Sequence, residues 1–228
     1  MGEYYVWANP ERREYIDPYS FDYGSKLYNS CQRDGFVLRA LRDLLKKEWK
    51  GCRFFWMGDG AELPEDIAPE LFLVFKEHCN ECHGYMFDAV CTFYKNMSGL
   101  YKGSEKMVTE EINLFLKDIA ERKNSEPDKY WMRNEFGINL KNPFDGLFLR
   151  EGIDAKYIVN YTKKVCYSFE GTKILQENGD ENDYADPLPM LMKYGRSTNP
   201  GTWLGDVIGV ADELPEGITV MDSITLDW

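Results

Sequence analysis

Apolar positions change their period several times along the chain, and the changes divide it. Tyr4, Tyr5, Val6 and Trp7 form an aromatic and β-branched run that breaks at Asn9-Pro10 and resumes at Glu14-Tyr15-Ile16, which predicts a β-hairpin. Leu38, Leu41, Leu44 and Leu45 then fall at helical spacing behind Asp34, a candidate cap. Trp49-Lys50-Gly51 ends that helix, and Arg53-Phe54-Phe55-Trp56-Met57 predicts a buried strand before the Gly58-Asp59-Gly60 turn.

From Phe72 the spacing alternates between three and four: Phe75, Cys79, Cys82, Met86, Ala89, Phe93 and Met97 follow in one stripe. The stripe predicts a single helix with Pro69 in its first turn and Ser98-Gly99 at its end. A second helix carries Val108, Ile112, Phe115, Leu116 and Ile119, and the short Lys102-Gly103-Ser104 link predicts that the two pack as an antiparallel hairpin. Residues 124–134 are polar around Pro127 and read as a loop.

Beyond Asp154 the strand period returns. Lys156-Tyr157-Ile158-Val159-Asn160 and Lys164-Val165-Cys166-Tyr167 predict a second hairpin turning through Tyr161-Thr162-Lys163. Pro187 and Pro189 restrict Leu188, Met190, Leu191 and Met192 to a short helix. Trp203 to Val210 then supplies a strand, and Ile218, Val220, Ile224, Leu226 and Trp228 a terminal one.

The two hairpin regions share residues in the same order. Asn9, Arg12-Arg13, Gly24-Ser25-Lys26-Leu27, Trp49-x-Gly51 and Glu62-Leu63-Pro64-Glu65 recur as Asn160, Lys163-Lys164, Gly171-Thr172-Lys173-Ile174, Trp203-x-Gly205 and Glu213-Leu214-Pro215-Glu216. Five ordered matches predict an internal duplication. The expected architecture is α+β: related hairpin, helix and strand modules at 1–66 and 151–228, flanking an inserted antiparallel helical hairpin at 67–150. The duplicated residues have structural duties open to them. Asn suits a turn, Gly24 and Gly171 suit positive φ, the tryptophans suit equivalent core positions, and Glu-Leu-Pro-Glu suits a closing turn.

Charge narrows the partners. A net charge of -12 disfavours a bulk nucleic-acid surface, because phosphate binding depends on lysines and arginines displacing counterions. The opening Met-Gly-Glu-Tyr-Tyr has no secretory leader pattern and no window approaches a membrane span, so a cytoplasmic protein with six unpaired cysteines is expected. Against that acidic background the matched cations stand out. Lys26 with Lys173, and Arg12 with Lys163 as secondary cations, could face one small anionic, nucleotide-like ligand between the modules, with Tyr5, Trp7 or Tyr157 to stack on a base.

The only two histidines fall in His78-Cys79-Asn80-Glu81-Cys82-His83. Cys-x-x-Cys-His is a haem-attachment pattern, and His78 with Cys82, or Cys79 with His83, has metal-ligand spacing on a helix. Cys79 and Cys82 also lie on the apolar stripe, where packing explains them without a ligand, so no metal or other cofactor is expected. Asp180-Glu181-Asn182-Asp183 with Asp186 resembles half of a calcium loop, but it lacks the glycine and closing glutamate and reads as a solvated loop. No nucleophile elbow is present. The expectation is a non-enzymatic binding protein. The alternatives are a protein-partner-binding accessory or immunity-type protein, and a metal-dependent enzyme using the His78, Cys79, Cys82 and His83 cluster.

The opening Tyr4-Tyr5-x-x-Ala8-Asn9-x-x-Arg12-Arg13-Glu14-Tyr15-Ile16-Asp17-Pro18, followed by Gly24-x-Lys26-Leu27, resembles uncharacterised bacterial proteins that begin with a similar hairpin and continue to a Trp-x-Gly-Asp segment. Here Cys52 replaces that Asp in the first copy and Asp206 keeps it in the second. The resemblance covers mainly residues 3–59. It implies a bacterial or phage origin and assigns no activity.

Overall fold

Asn9 and Asn160 shape two hairpins in the same way. The Asn9 side-chain oxygen accepts the Arg12 N–H at 3.0 Å, the Asn160 oxygen accepts the Lys163 N–H at 2.8 Å, and both side chains are fully buried. Arg13 and Lys164 then take left-handed backbone at φ 53° and 57°, which returns the chain into the second strand. The computed structural model describes residues 3–22, 26, 28–121, 144, 147–196 and 199–227.

The first unit contains β1 (Tyr5–Asn9), β2 (Glu14–Ile16), α1 (Phe36–Lys46) and β3 (Phe55–Gly58). It is followed by α2 (Pro69–His78), α3 (Met86–Phe93), β4 (Lys95–Asn96) and α4 (Glu105–Glu121). The second unit contains β5 (Tyr157–Asn160), β6 (Val165–Tyr167), β7 (Lys173–Gln176) and α5 (Leu188–Met192). It continues through β8 (Lys193–Tyr194), β9 (Ile208–Ala211), β10 (Thr219–Val220) and β11 (Ser223–Leu226). The α+β class follows.

The two main sheets share a pairing scheme. One runs β4-β2-β1-β3-β8 and the other β10-β6-β5-β9, with β11 and β7 forming a separate parallel pair. Asn9 pairs with Glu14 and Asn160 with Val165; Glu14 then pairs in parallel with Lys95, and Val165 with Thr219. Ahead of the third strand, Gly51 and Gly205 take positive φ of 78° and 79°, and the N–H groups of Cys52 and Asp206 each donate to the preceding tryptophan carbonyl at 3.0 Å. An isolated antiparallel bridge, Arg53 to Val207, joins residues at corresponding places in the two units.

Burial explains why β1 reads as a continuous apolar run. Tyr5 and Trp7 face a core with α1 and the second unit, while Val6 and Ala8 face a second core built from α2 and α3. Trp7 lies 4.6 Å from Trp56 and 5.7 Å from Phe54 between ring centroids. The same core takes in Ile158, Tyr167, Trp203 and Ile208, so the two sheets share one apolar interior.

Several expectations change. Gly35, not Asp34, is the N-cap of α1 and gives no side-chain hydrogen bond; the turn is closed by Gly35 N–H to the Gln32 carbonyl at 3.0 Å. The stripe from Phe72 to Met97 is two helices rather than one, because His83 and Gly84 take positive φ of 49° and 81° and reverse the chain. The segment after them contributes β4 to the first sheet, and α4 packs on the 3-10 turn Pro18–Phe21. Gly171 is not at positive φ; its N–H donates to Ser168 Oγ at 3.0 Å, the same distance at which a Cβ would meet that oxygen. Gly24 and the 124–134 loop lie outside the described residues.

The α4 contact carries two perturbed carboxyls. Burial pushes Asp17 up to about 6, although it accepts the Tyr19 N–H at 2.9 Å. Burial, aided by the Asp17 charge, pushes Glu111 up to about 7. Both groups bind protons more tightly folded than unfolded, so their contribution to stability is present below the unfolded carboxyl range and is lost as pH rises through 6 to 7. Glu111→Gln is therefore expected to stabilise the protein above that window by about 1 kcal/mol, discounted for solvent access, and to flatten the rise in unfolding midpoint on acidification to about pH 5. Urea denaturation at several pH values measures it.

Candidate functional site

The cations predicted from the sequence occupy different surroundings. Arg12 and Lys163 both belong to hairpin turns beside the Arg53 to Val207 bridge: Glu11 accepts the Arg53 N–H at 3.1 Å, and Thr162 Oγ accepts the Val207 N–H at 3.0 Å. Lys163 Nζ contacts the Asp206 carboxylate, and the same Asp206 oxygen accepts Asn160 Nδ2 at 2.7 Å. In the first unit Cys52 stands where the second has Asp206. Asn9 Nδ2 is buried there with only the Cys52 sulfur beside it and no well-shaped hydrogen bond, and among the described residues the exposed Arg12 guanidinium has no ion-pair partner. Burial raises the Cys52 thiol; the Asn9 amide and Arg12 charge oppose that shift while Glu11 adds to it.

Lys173 opens β7 and lines a cavity of about 310 Å³ with Arg33, Phe169, Thr172 and Glu181. The wall before β7 is fixed by two bonds that cross: Thr172 N–H donates to the Ser168 carbonyl at 3.0 Å, and Ser168 N–H to Thr172 Oγ at 3.2 Å. The opposite wall is tied to the strand by Asn182 N–H on the Ile174 carbonyl at 2.8 Å, and the Asn182 side chain accepts the Ala185 N–H at 3.2 Å. Arg33 enters because its N–H donates to the Tyr184 carbonyl at 2.9 Å, and its guanidinium lies 4.0 Å above the Phe169 ring. Lys173 Nζ meets Glu181 at 2.9 Å across the opening.

A buried polar network supports that cavity. Asp186, expected in a solvated loop, is fully buried: it accepts Arg42 Nη2 at 2.7 Å and Leu188 N–H at 2.9 Å, and receives the Tyr167 hydroxyl. Arg42 also donates to the Arg33 carbonyl at 2.9 Å, linking the network to the cavity. Burial and the Asp186 charge push the Tyr167 phenol well above its usual range, so it stays a neutral donor.

Lys26 sits exposed at a bend and is not among the residues lining this cavity. Sequence reasoning missed Arg33 and Phe169, which meet only through the fold. The expectation that Cys79 and Cys82 both pack on a helix is half corrected: Cys82 is buried in a turn, whereas Cys79 is exposed at the end of α2. His78 Nδ1 lies 3.0 Å from a Glu81 carboxylate oxygen and its ring stacks on Phe93, while His83 lines a separate open cleft of about 650 Å³ that includes Tyr85, Tyr194 and Arg196. Among the described residues no group of three or more His, Cys, Asp or Glu side chains is placed to hold a metal, and no helix is long and apolar enough to cross a membrane.

Comparison with family models, curated proteins and solved structures finds no match to this chain.

Proposed function

We propose that this is a non-enzymatic binding protein of bacterial or phage origin, resident in the cytoplasm, that sequesters or senses a small anionic, nucleotide-like ligand. We further propose that its two units arose by duplication of one module. The observation that carries the binding reading is the convergence of Lys173 and Arg33 on one cavity beside the Phe169 ring. A phosphate or carboxylate would gain charge-assisted hydrogen bonds from both cations, and Phe169 supplies an apolar contact for the rest of the ligand. Glu181 is the competitor, since the ligand must take Lys173 away from it.

Calorimetry against nucleotides and small organic phosphates tests the reading. Arg33→Ala with Lys173→Ala is expected to weaken binding at least tenfold, or about 1.4 kcal/mol, and Glu181→Gln to tighten it. Lys26→Ala and Arg12→Ala are expected to leave it unchanged. No binding across the panel, or binding indifferent to Lys173 and Arg33, would end the proposal. The protein-partner reading is favoured by Tyr184, which is 86% exposed on the acidic loop beside the cavity. It takes over if Tyr184→Ala abolishes capture of a basic protein while small anions do not bind.

A further inference from the structure

The two units differ at one matched position in a way that has chemical consequences. Cys52 and Asp206 each follow Trp-x-Gly, and each donates its N–H to the tryptophan carbonyl at 3.0 Å. In the second unit the Asp206 carboxylate is the shared acceptor for Asn160 Nδ2, at 2.7 Å, and for Lys163 Nζ. In the first, Asn9 is fully buried, its Nδ2 has only the Cys52 sulfur beside it and forms no well-shaped hydrogen bond, and the Arg12 charge acts on Cys52 from the turn. A thiol is a poor acceptor for either donor, and a buried unpaired amide N–H is costly.

We propose that Cys52 is an oxidative modification site: conversion of its thiol to a sulfinate gives the first unit the anionic acceptor that Asp206 gives the second. A sulfinate carries two oxygens and a negative charge on the atom next to Cβ, so it is the closest analogue of an aspartate that cysteine chemistry provides. The oxidant is hydrogen peroxide. The Cys52 thiol passes its proton to the neighbouring Glu11 carboxylate, the sulfur attacks one peroxide oxygen, and the O–O bond breaks. The departing hydroxide takes the proton back and leaves as water. A second hydrogen peroxide molecule oxidises the resulting sulfenic acid to sulfinic acid, again releasing water, and the sulfinic proton is lost to solvent. Cys52 is half-buried, so peroxide can reach it. Because burial holds the thiol protonated, the reaction is slow and records sustained exposure rather than a brief pulse. Glu11 opposes the new charge, and Asn9 with Arg12 must outweigh it.

The test treats the purified full-length chain with graded hydrogen peroxide, maps oxygen addition by peptide mass spectrometry and follows the unfolding temperature. The expected result is two oxygens on Cys52, with a rise in unfolding temperature of about 2–4 °C that is absent when Asn9→Ala or Cys52→Ser is treated in parallel. Cys52→Asp, which needs no oxidant, is expected to give a similar rise, and Asp206→Cys a fall. Cys52 left as a thiol after prolonged treatment with excess peroxide that leaves the protein folded would overturn the proposal. So would a Cys52→Asp protein no more stable than the parent.

Discussion

Asp186→Ala is expected to cost about 3–5 kcal/mol and to leave the chain largely unfolded at 37 °C, because it strands a buried charge rather than deleting one contact. The Arg42 side chain is 2% exposed and Asp186 is fully buried. Without the carboxylate, Arg42 keeps the Arg33 carbonyl at 2.9 Å and a loose approach to the solvent-facing Asp154 at 3.6 Å, too little to hold a guanidinium in an apolar interior. The first N–H of α5, that of Leu188, loses its acceptor in the same step. Asp186→Asn retains an acceptor oxygen but not the charge and should fall between. Urea denaturation decides: a midpoint for Asp186→Ala within about 1 kcal/mol of the parent would show that Arg42 is not stranded.

Gly201→Ala is the second substitution with a large expected effect, about 2–4 kcal/mol, and it acts through space rather than backbone dihedrals. A Cβ at residue 201 would lie 2.2 Å from the Leu191 carbonyl oxygen, 2.4 Å from its carbon and 2.7 Å from the Met190 oxygen. None of these atoms can rotate away, since α5 ends there and the Leu191 carbonyl accepts the Trp203 N–H at 2.8 Å. Gly217 is the control: its φ is 73° with nothing within 4 Å, so Gly217→Ala should cost only about 1 kcal/mol of backbone strain. Equal losses at the two glycines would refute the steric account.

The contrast between local and distant determinants explains what could be read in advance. Asn9 and Asn160, Gly51 and Gly205, and the prolines around α5 act within a few residues of themselves, so their turns and limits show in the chain. The break at His83-Gly84 did not, because apolar spacing continues across a reversal that only backbone sign marks. Asp34 looked like a cap by composition, yet a backbone turn at Gly35 made a side chain unnecessary. Lys173 could be picked out as a cation in a Gly-Thr-Lys segment. Its companions Arg33 and Phe169, and the burial of Asp186 beneath them, depend on contacts spanning more than a hundred residues, such as Arg42 to Asp186. No local pattern encodes those.

The parallel pairing of Trp56 with Lys193 and Met57 with Tyr194 has a consequence for synthesis. The first hairpin and β3 leave the ribosome early, while β8, which covers the open edge of β3, comes much later, and Lys193 Nζ is finally held by the Asp227 carbonyl at 2.8 Å. Throughout that interval β3 offers unpaired backbone and an aromatic face to any neighbouring chain. Closing such a distant contact also spends chain entropy before any contact energy is returned. Yield should therefore depend on translation rate and on chaperone supply more steeply than the equilibrium stability of the finished protein would suggest.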